Sequence, residues 1–162
     1  MSRTRSEYRR NLSVPLPSAT GRPGAHTVAP AVEADRDALA ALLLDAYRGT
    51  IDDEGEGEDE ARAAIDDYLG RLLPAYSLVV EEDGRPVSLS FVVRVQGRHY
   101  IDPVATSAAH KGRGLGTDAV ATSIRLLQRD GVDEVGAVIT DGNVASERLF
   151  ARFGFTRIGP WG

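Results

Sequence analysis

Cysteine is absent from this sequence, which removes disulfide frameworks, thiolate metal sites and cysteine nucleophiles together. A basic excess is absent too: 19 Lys and Arg stand against 24 Asp and Glu, for a formal net charge of -5. A polyphosphate backbone rewards the opposite balance, so no nucleic-acid partner is expected. No apolar run reaches the roughly 18 residues of a membrane span, and no membrane partner is expected either. These absences read as a cytoplasmic protein with no metal. The 162 residues suffice for one core and are too few for two comfortable domains.

The first 25 residues carry Arg3, Arg5, Arg9 and Arg10 against Glu7 alone, followed by Pro15, Pro17, Gly21, Pro23 and Gly24. They read as a flexible tail, with the domain at 26–162. An Arg- and Ser-bearing, acid-poor start also fits an organellar transit peptide. Lys111 is the sole lysine, however, so the preference for Arg runs through the whole chain.

What is present is a regular alternation of signals. His26 to Val32 reads as a short strand, and Asp35 stands as an N-cap before Leu39, Leu42, Leu43, Ala46 and Tyr47 at helical spacing. An almost wholly Asp, Glu and Gly connection runs from Asp52 to Glu60, and Ile65, Tyr68, Leu69, Leu72 and Leu73 mark a second amphipathic helix. Tyr76 to Glu82 and Pro86 to Val95 are β-rich runs around Asp83-Gly84, a hairpin signal. A third strand, His99 to Thr106, enters a glycine-rich segment and then a helix from about Gly116 to Asp130. Val135 to Thr140, Asn143 to Phe153 and Phe155 to Ile158 follow as strand, helix and strand. The order is β-α-α-β-β-β-α-β-α-β, an α/β (α+β) chain.

The segment His110-Lys111-Gly112-Arg113-Gly114-Leu115-Gly116-Thr117 joins that strand to that helix. Consecutive N–H groups converge on one anion only where side chains do not intrude, and a helix start adds positive potential, so a phosphate cradle is the chemical reading. An ordinary Gly-rich loop is the alternative. A dinucleotide fingerprint would need glycine at Thr117, and a Walker loop would need a Gly-Lys-Ser/Thr ending.

At these residues the sequence resembles the GNAT superfamily of N-acetyltransferases. Lys111-x-x-Gly114-x-Gly116 matches that family's Gln/Arg-x-x-Gly-x-Gly/Ala signature, with Lys as the departure. Asn143-x-x-Ser146, followed by Leu149-Phe150-Ala151-Arg152-Phe153-Gly154-Phe155, resembles the helix that closes over the cofactor. The resemblance spans about residues 26 to 159. It implies a twisted mixed sheet whose fourth and fifth strands splay around acetyl-CoA. Backbone groups of Val104, Ala105 and Thr106 would then pair with the pantetheine arm. Lys111, Gly112, Arg113, Gly114, Leu115, Gly116 and Thr117 would hold the pyrophosphate, and Asn143, Ser146 and Phe150 would line the thiol side. Asn143 also suits a helix N-cap, and Arg113 and Arg148 suit solvated surface positions.

Acyl transfer to an amine needs a neutral nucleophile, oxyanion stabilisation and a proton for the thiolate. Deprotonating an alkyl ammonium of pKa near 10.4 costs about 4–5 kcal/mol at neutral pH, so a carboxylate base is useful. Asp102 is the first candidate, expected on one strand face with Tyr100, Val104 and Thr106. Its alternative role is a locally satisfied carboxylate beside Pro103. The family's usual carboxylate position is occupied by Tyr100, and Phe150 occupies the place of its usual tyrosine acid; Ser146 or water would substitute. The implied reaction is direct attack on acetyl-CoA.

The connection between the first two helices borders the acceptor site in that family. Asp52, Asp53 and Glu54 therefore read as a rim for a cationic small-molecule amine; a solvated charge run is the alternative. Tyr47 and Tyr68 read mainly as helix packing, with an aromatic wall of the acceptor site as the alternative. A non-catalytic acyl-CoA-binding module competes with the enzyme reading, on the strength of Phe150. Relatives carry two strands beyond the Gly-Phe pair and this sequence has room for one. A second subunit of a homodimer, or the N-terminal arm through Tyr8, Leu12, Val14 and Leu16 beside Trp161, is expected to cover the open edge.

Overall fold

The computed structural model describes residues 3–16 and 26–162, and its elements follow the periodicities of the sequence with one addition. They are β1 (Arg5–Asn11), β2 (His26–Pro30), α1 (Arg36–Tyr47), α2 (Glu58–Arg71), β3 (Leu78–Glu82), β4 (Arg85–Val95) and β5 (Arg98–Thr106). After them come α3 (Leu115–Arg129), β6 (Glu134–Thr140), α4 (Val144–Arg152) and β7 (Thr156–Pro160). The strands form one mixed sheet in the order β2-β3-β4-β5-β6-β1-β7, antiparallel throughout except between β5 and β6.

Local chemistry explains the element ends. The Asp35 carboxylate accepts the Ala38 N–H at 3.1 Å and starts α1, as an N-cap does. Glu60 reaches back to the Gly57 N–H at 3.1 Å and starts α2. The apolar faces then cover both sides of the sheet. On one, α1 and α2 bury Leu39, Leu43 and Ile65 against Val79, Leu89, Phe91 and Val93. On the other, Val120, Ile124 and Leu127 of α3 and Phe150 of α4 pack on Val92, Ile101, Val135 and Ala137.

The addition is β1, and it corrects the assignment of residues 1–25 to a flexible tail. Arg5 to Asn11 pair with Thr140 to Glu134 along the whole of β6, and the other edge of the same strand pairs with β7. Leu12 is buried, Tyr8 and Leu16 pack on the α3 side of the core, and Val14 is exposed. The arm, the second of the two expected covers, therefore occupies the open edge of β6. Residues 1–2 and 17–25, part of the same expected tail, lie outside the described residues.

The parallel strands β5 and β6 meet only at Tyr100 with Gly136 and Ile101 with Ala137. Beyond that point they part, for two reasons. Ser90 faces Val104 while Val92 faces Ile101, so β5 carries one extra residue at Asp102-Pro103, and such a bulge bends its strand. Pro103 also has no N–H to give to a neighbour. The bulge corrects a second expectation, the common face of Tyr100, Asp102, Val104 and Thr106. Tyr100 and Ala105 pack with the α1 and α2 core, whereas Ile101 and Val104 pack with the α3 core, because an extra residue breaks the period of two.

Where the strands still touch, space is tight. A Cβ on Gly136 would lie 2.7 Å from Arg9 Nη1 and 2.7 Å from the Tyr100 ring. Gly136→Ala is expected to lower stability by about 1–3 kcal/mol through overpacking. Thermal denaturation checks it, and an unchanged midpoint would show that both side chains move aside freely.

Candidate functional site

A cavity of about 970 Å³ opens where β5 and β6 part. Its walls include Val104, Ala105 and Thr106 from β5, Val138, Ile139 and Thr140 from β6, the whole segment Lys111–Thr117, and Asn143, Ser146 and Phe150. These elements come from distant parts of the sequence, and the splayed pair brings them to one place. On the β6 side, Val104 to Thr106 have no strand partner, so their outward backbone groups are available to an extended ligand.

The glycine segment contributes backbone in two distinct ways. Gly112 and Gly114 have φ of 80° and 79°, a conformation strained for other residues, and a Cβ on either would meet nothing within 4 Å. Gly116 instead permits close approach of α3 to β5, since a Cβ there would lie 3.1 Å from Thr106 Oγ1. Side chains hold the loop from outside. Arg113 donates to both oxygens of Glu82, at 2.5 and 3.2 Å, and His110 Nε2 lies 3.2 Å from the same carboxylate. Lys111 Nζ donates to the Ala46 carbonyl at 3.1 Å, and Leu115 is buried with Val80, Val87 and Ala119. Arg113, Lys111 and Leu115 are thus engaged in holding the segment in place.

The same cavity is lined by Asp102, Tyr47, Tyr68 and Arg5. Burial pushes the Asp102 carboxyl up from 3.8 to about 6, against the lowering influence of Arg71 and Arg5. The same surroundings raise the Tyr68 hydroxyl to about 12 and raise Tyr47 as well, so both rings keep their protons. These tyrosines, expected mainly in packing with an aromatic wall as the alternative, pack against the core and line the cavity. Their meeting depends on how α1, which carries Tyr47, and α2, which carries Tyr68, pack together on the sheet, which no local pattern announces. Tyr100 is buried, bonded to Glu7 at 3.1 Å through its hydroxyl, and meets the Trp161 ring edge-on at 5.4 Å.

The acidic connection is ordered and mostly engaged internally. Asp52 accepts from Thr140 Oγ1 at 2.7 Å and from Asn143 Nδ2 at 3.0 Å, tying the α1–α2 connection across to β6 and α4. Asp53 does not line the cavity; it accepts the N–H groups of Gly49 and Gly55 at 2.8 and 2.9 Å. Glu54 pairs with Arg3 at 3.2 Å. Of the expected rim, Asp52 and Glu54 line the cavity with their carboxylates engaged by Thr140, Asn143 and Arg3, while Asp53 stands off it, held by N–H groups of its own turn.

Around α4, Asn143 Oδ1 accepts the Ser146 N–H at 3.2 Å, so its capping role holds while its side chain also lines the cavity. Phe150 is buried, edge-on to Phe155 at 5.0 Å. The Ser146 hydroxyl makes no hydrogen bond among the described residues. Among those residues no cluster of three or more metal-binding side chains occurs, and no helix is long and apolar enough to cross a membrane.

Comparison with known proteins follows the geometry. A GCN5-related N-acetyltransferase from Sphaerobacter thermophilus superposes with a TM-score of 0.75 at 20% identity, over 98% of this chain and 49% of that one. This chain thus spans about half the length of that relative. A protein from Pyrococcus horikoshii gives 0.72 at 18% identity, over 85% of this chain and 92% of its own. The ribosomal-protein-S18-alanine N-acetyltransferase of Escherichia coli gives 0.61 at 18%, over 81% and 77%. A search of curated protein sequences finds no match. The family model for the acetyltransferase (GNAT) family matches residues 36–155, from the first turn of α1 to the phenylalanine that ends the second motif, and the chain belongs to that family.

Proposed function

We propose that this protein transfers an acetyl group from acetyl-CoA to the primary amine of a small molecule, by direct attack. The observation that carries the reading is one cavity with the glycine segment on its wall, an unpaired strand edge beside it and Asp102 on the same wall. The cofactor fits what lines this space. Open positions at Gly112 and Gly114 leave room for a pyrophosphate, and the buried Nδ1 of His110, also a wall residue, lacks a partner. When bound, the cofactor supplies the activated acyl group.

The protein's own groups do the rest. Asp102, ionised above about pH 6, takes the proton that the amine must lose, directly or through one water. The acyl carbon would gain the C–N bond as the C–S bond breaks, and the departing thiolate would take a proton from water or through Ser146, whose hydroxyl regains one from solvent. A thiol of pKa about 8.5 leaves adequately near neutral pH, so a phenyl ring at Phe150 does not forbid turnover. The alternative, an acyl-CoA-binding module without catalysis, draws on that same ring. Thiol release from acetyl-CoA against a panel of primary amines tests the choice, and binding of CoA without release from any amine favours the module.

The cradle has its own test. CoA is expected to raise the melting temperature by mass action. Gly114→Ala and Gly114→Asp both meet the cost of positive φ, about 1–2 kcal/mol, but only Asp adds a charge facing the pyrophosphate. The CoA-induced shift should largely survive in the Ala variant and vanish in the Asp variant. Equal shifts in the two would move the phosphate site elsewhere.

A further inference from the structure

Most charged side chains on the cavity wall are already paired. Glu82 takes Arg113 and His110, Glu54 takes Arg3, His26 meets Asp118 at 3.0 Å, and Asp52 is held by Thr140 and Asn143. Two opposite charges on that wall are not. Asp102 and the Arg5 guanidinium line the same cavity and make no hydrogen bond or ion pair among the described residues, and Arg5 acts to lower the Asp102 carboxyl.

Arg5 is not there by accident of a loose tail. Its residue pairs with Thr140 of β6, and its carbonyl accepts the Trp161 N–H at 2.9 Å, so both edges of the backbone are fixed at the cavity wall. Arg71 and Asp52 are the other charges that act on Asp102. Arg71 is engaged by Asp67 at 2.9 Å and lies over the Tyr68 ring at 4.8 Å, and Asp52 is satisfied as above. Arg152, on α4, is not among the charges that Asp102 feels. A base for an amine and a guanidinium uncommitted among the described residues therefore share the wall of one cavity. A guanidinium fork matches a carboxylate in shape as well as in charge.

We propose that the acceptor is a small amino carboxylate, its amine placed at Asp102 and its carboxylate on Arg5. This rests on the acetyltransferase reading of the same cavity and replaces a purely cationic acceptor with a zwitterionic one. It also gives the inserted strand β1 a part in substrate choice.

The test compares linear ω-amino carboxylates of two to six carbons with their primary amides, by thiol release, in wild type, Arg5→Gln and Arg5→Lys. In wild type the best carboxylate should exceed its amide in kcat/KM by about 10–100-fold, as for a hydrogen bond to a charged group. Arg5→Gln should bring that ratio to about one, mainly through KM, and Arg5→Lys should leave an intermediate ratio. If Arg5 only tunes Asp102, the Gln variant will instead shift the pH profile equally for acids and amides, which overturns the proposal. The same compounds are also tested for thermal stabilisation in the presence of CoA. Carboxylate-selective stabilisation that is lost in Arg5→Gln supports the site even without thiol release, a combination that counts against the transfer reading alone. No preference for carboxylate over amide in either measurement overturns the inference.

Discussion

Removal of residues 1–16 is expected to abolish cooperative folding rather than trim a tail. The strand β1 supplies the ladder on the outer edge of β6 and is the only strand partner of β7 among the described residues. The arm also buries Ser6, Arg9 and Arg10 from the strand and Leu12 just after it. Arg10 alone donates to the carbonyls of Phe153, Asn11, Val14 and Pro15, joining the arm to the end of α4. Deletion therefore strips one side of β6, frees β7 and Trp161, and leaves the Phe153 carbonyl without its donor. A typical domain has about 5–15 kcal/mol to lose, and these losses together are of that order. The exposed edge would also invite association. Circular dichroism melts and light scattering of the truncated chain check the result, together with Leu12→Asp as a single change within the same contact. A soluble monomer with the wild-type melting temperature would show that the arm is dispensable.

Asp102→Asn should separate activity from stability, in opposite directions. With the base removed, the rate toward amines is expected to fall by about 10²–10⁴-fold. In wild type kcat/KM should rise through about pH 6 as the carboxyl ionises, and that limb should be missing in the variant. For stability, the folded carboxyl holds its proton more tightly than the unfolded one, since its value is raised from 3.8 to about 6. The favourable contribution is complete below pH 3.8 and is lost as pH rises through 6, so the ionised group costs about 2–3 kcal/mol above that pH. An asparagine carries no such cost. The variant should therefore melt higher than wild type above pH 6 while turning over far more slowly. A carboxylate kept for structure would behave oppositely, so a lower melting temperature with an unchanged rate would remove Asp102 from the chemistry.

The same contrast bears on how the site is built. Asp102, Tyr47, Tyr68 and Arg5 converge from β5, α1, α2 and β1, and their convergence concentrates unpaired polar groups where the sheet is interrupted. Perturbed titration of a group in such a cavity is a frequent mark of function, and here it accompanies a strand edge and a glycine segment that point to the same ligand.

Sequence by itself determined the parts whose physics is local. The helix stripes, the Asp83-Gly84 turn, the Asp35 and Asn143 caps and the glycines at 112, 114 and 116 each follow from dihedral limits or from periods of 2 and 3.6 within a few residues. Motif spacing then carried the family. Tertiary structure alone decided the rest. Arg5 to Asn11 contain no apolar alternation, and their pairing with residues 134–140 joins backbone groups more than a hundred residues apart, which side-chain pattern does not encode. One extra residue in β5 exchanged the faces of everything after it, since a strand's period is sensitive to a single insertion. Asp52 and Asp53 looked like free charges because composition records a carboxylate and not its donors, whereas folding gave them Thr140, Asn143, Gly49 and Gly55. Arg5 looked like part of a tail for the converse reason: only the closed sheet shows that it stands at the cavity wall, unpaired among the described residues.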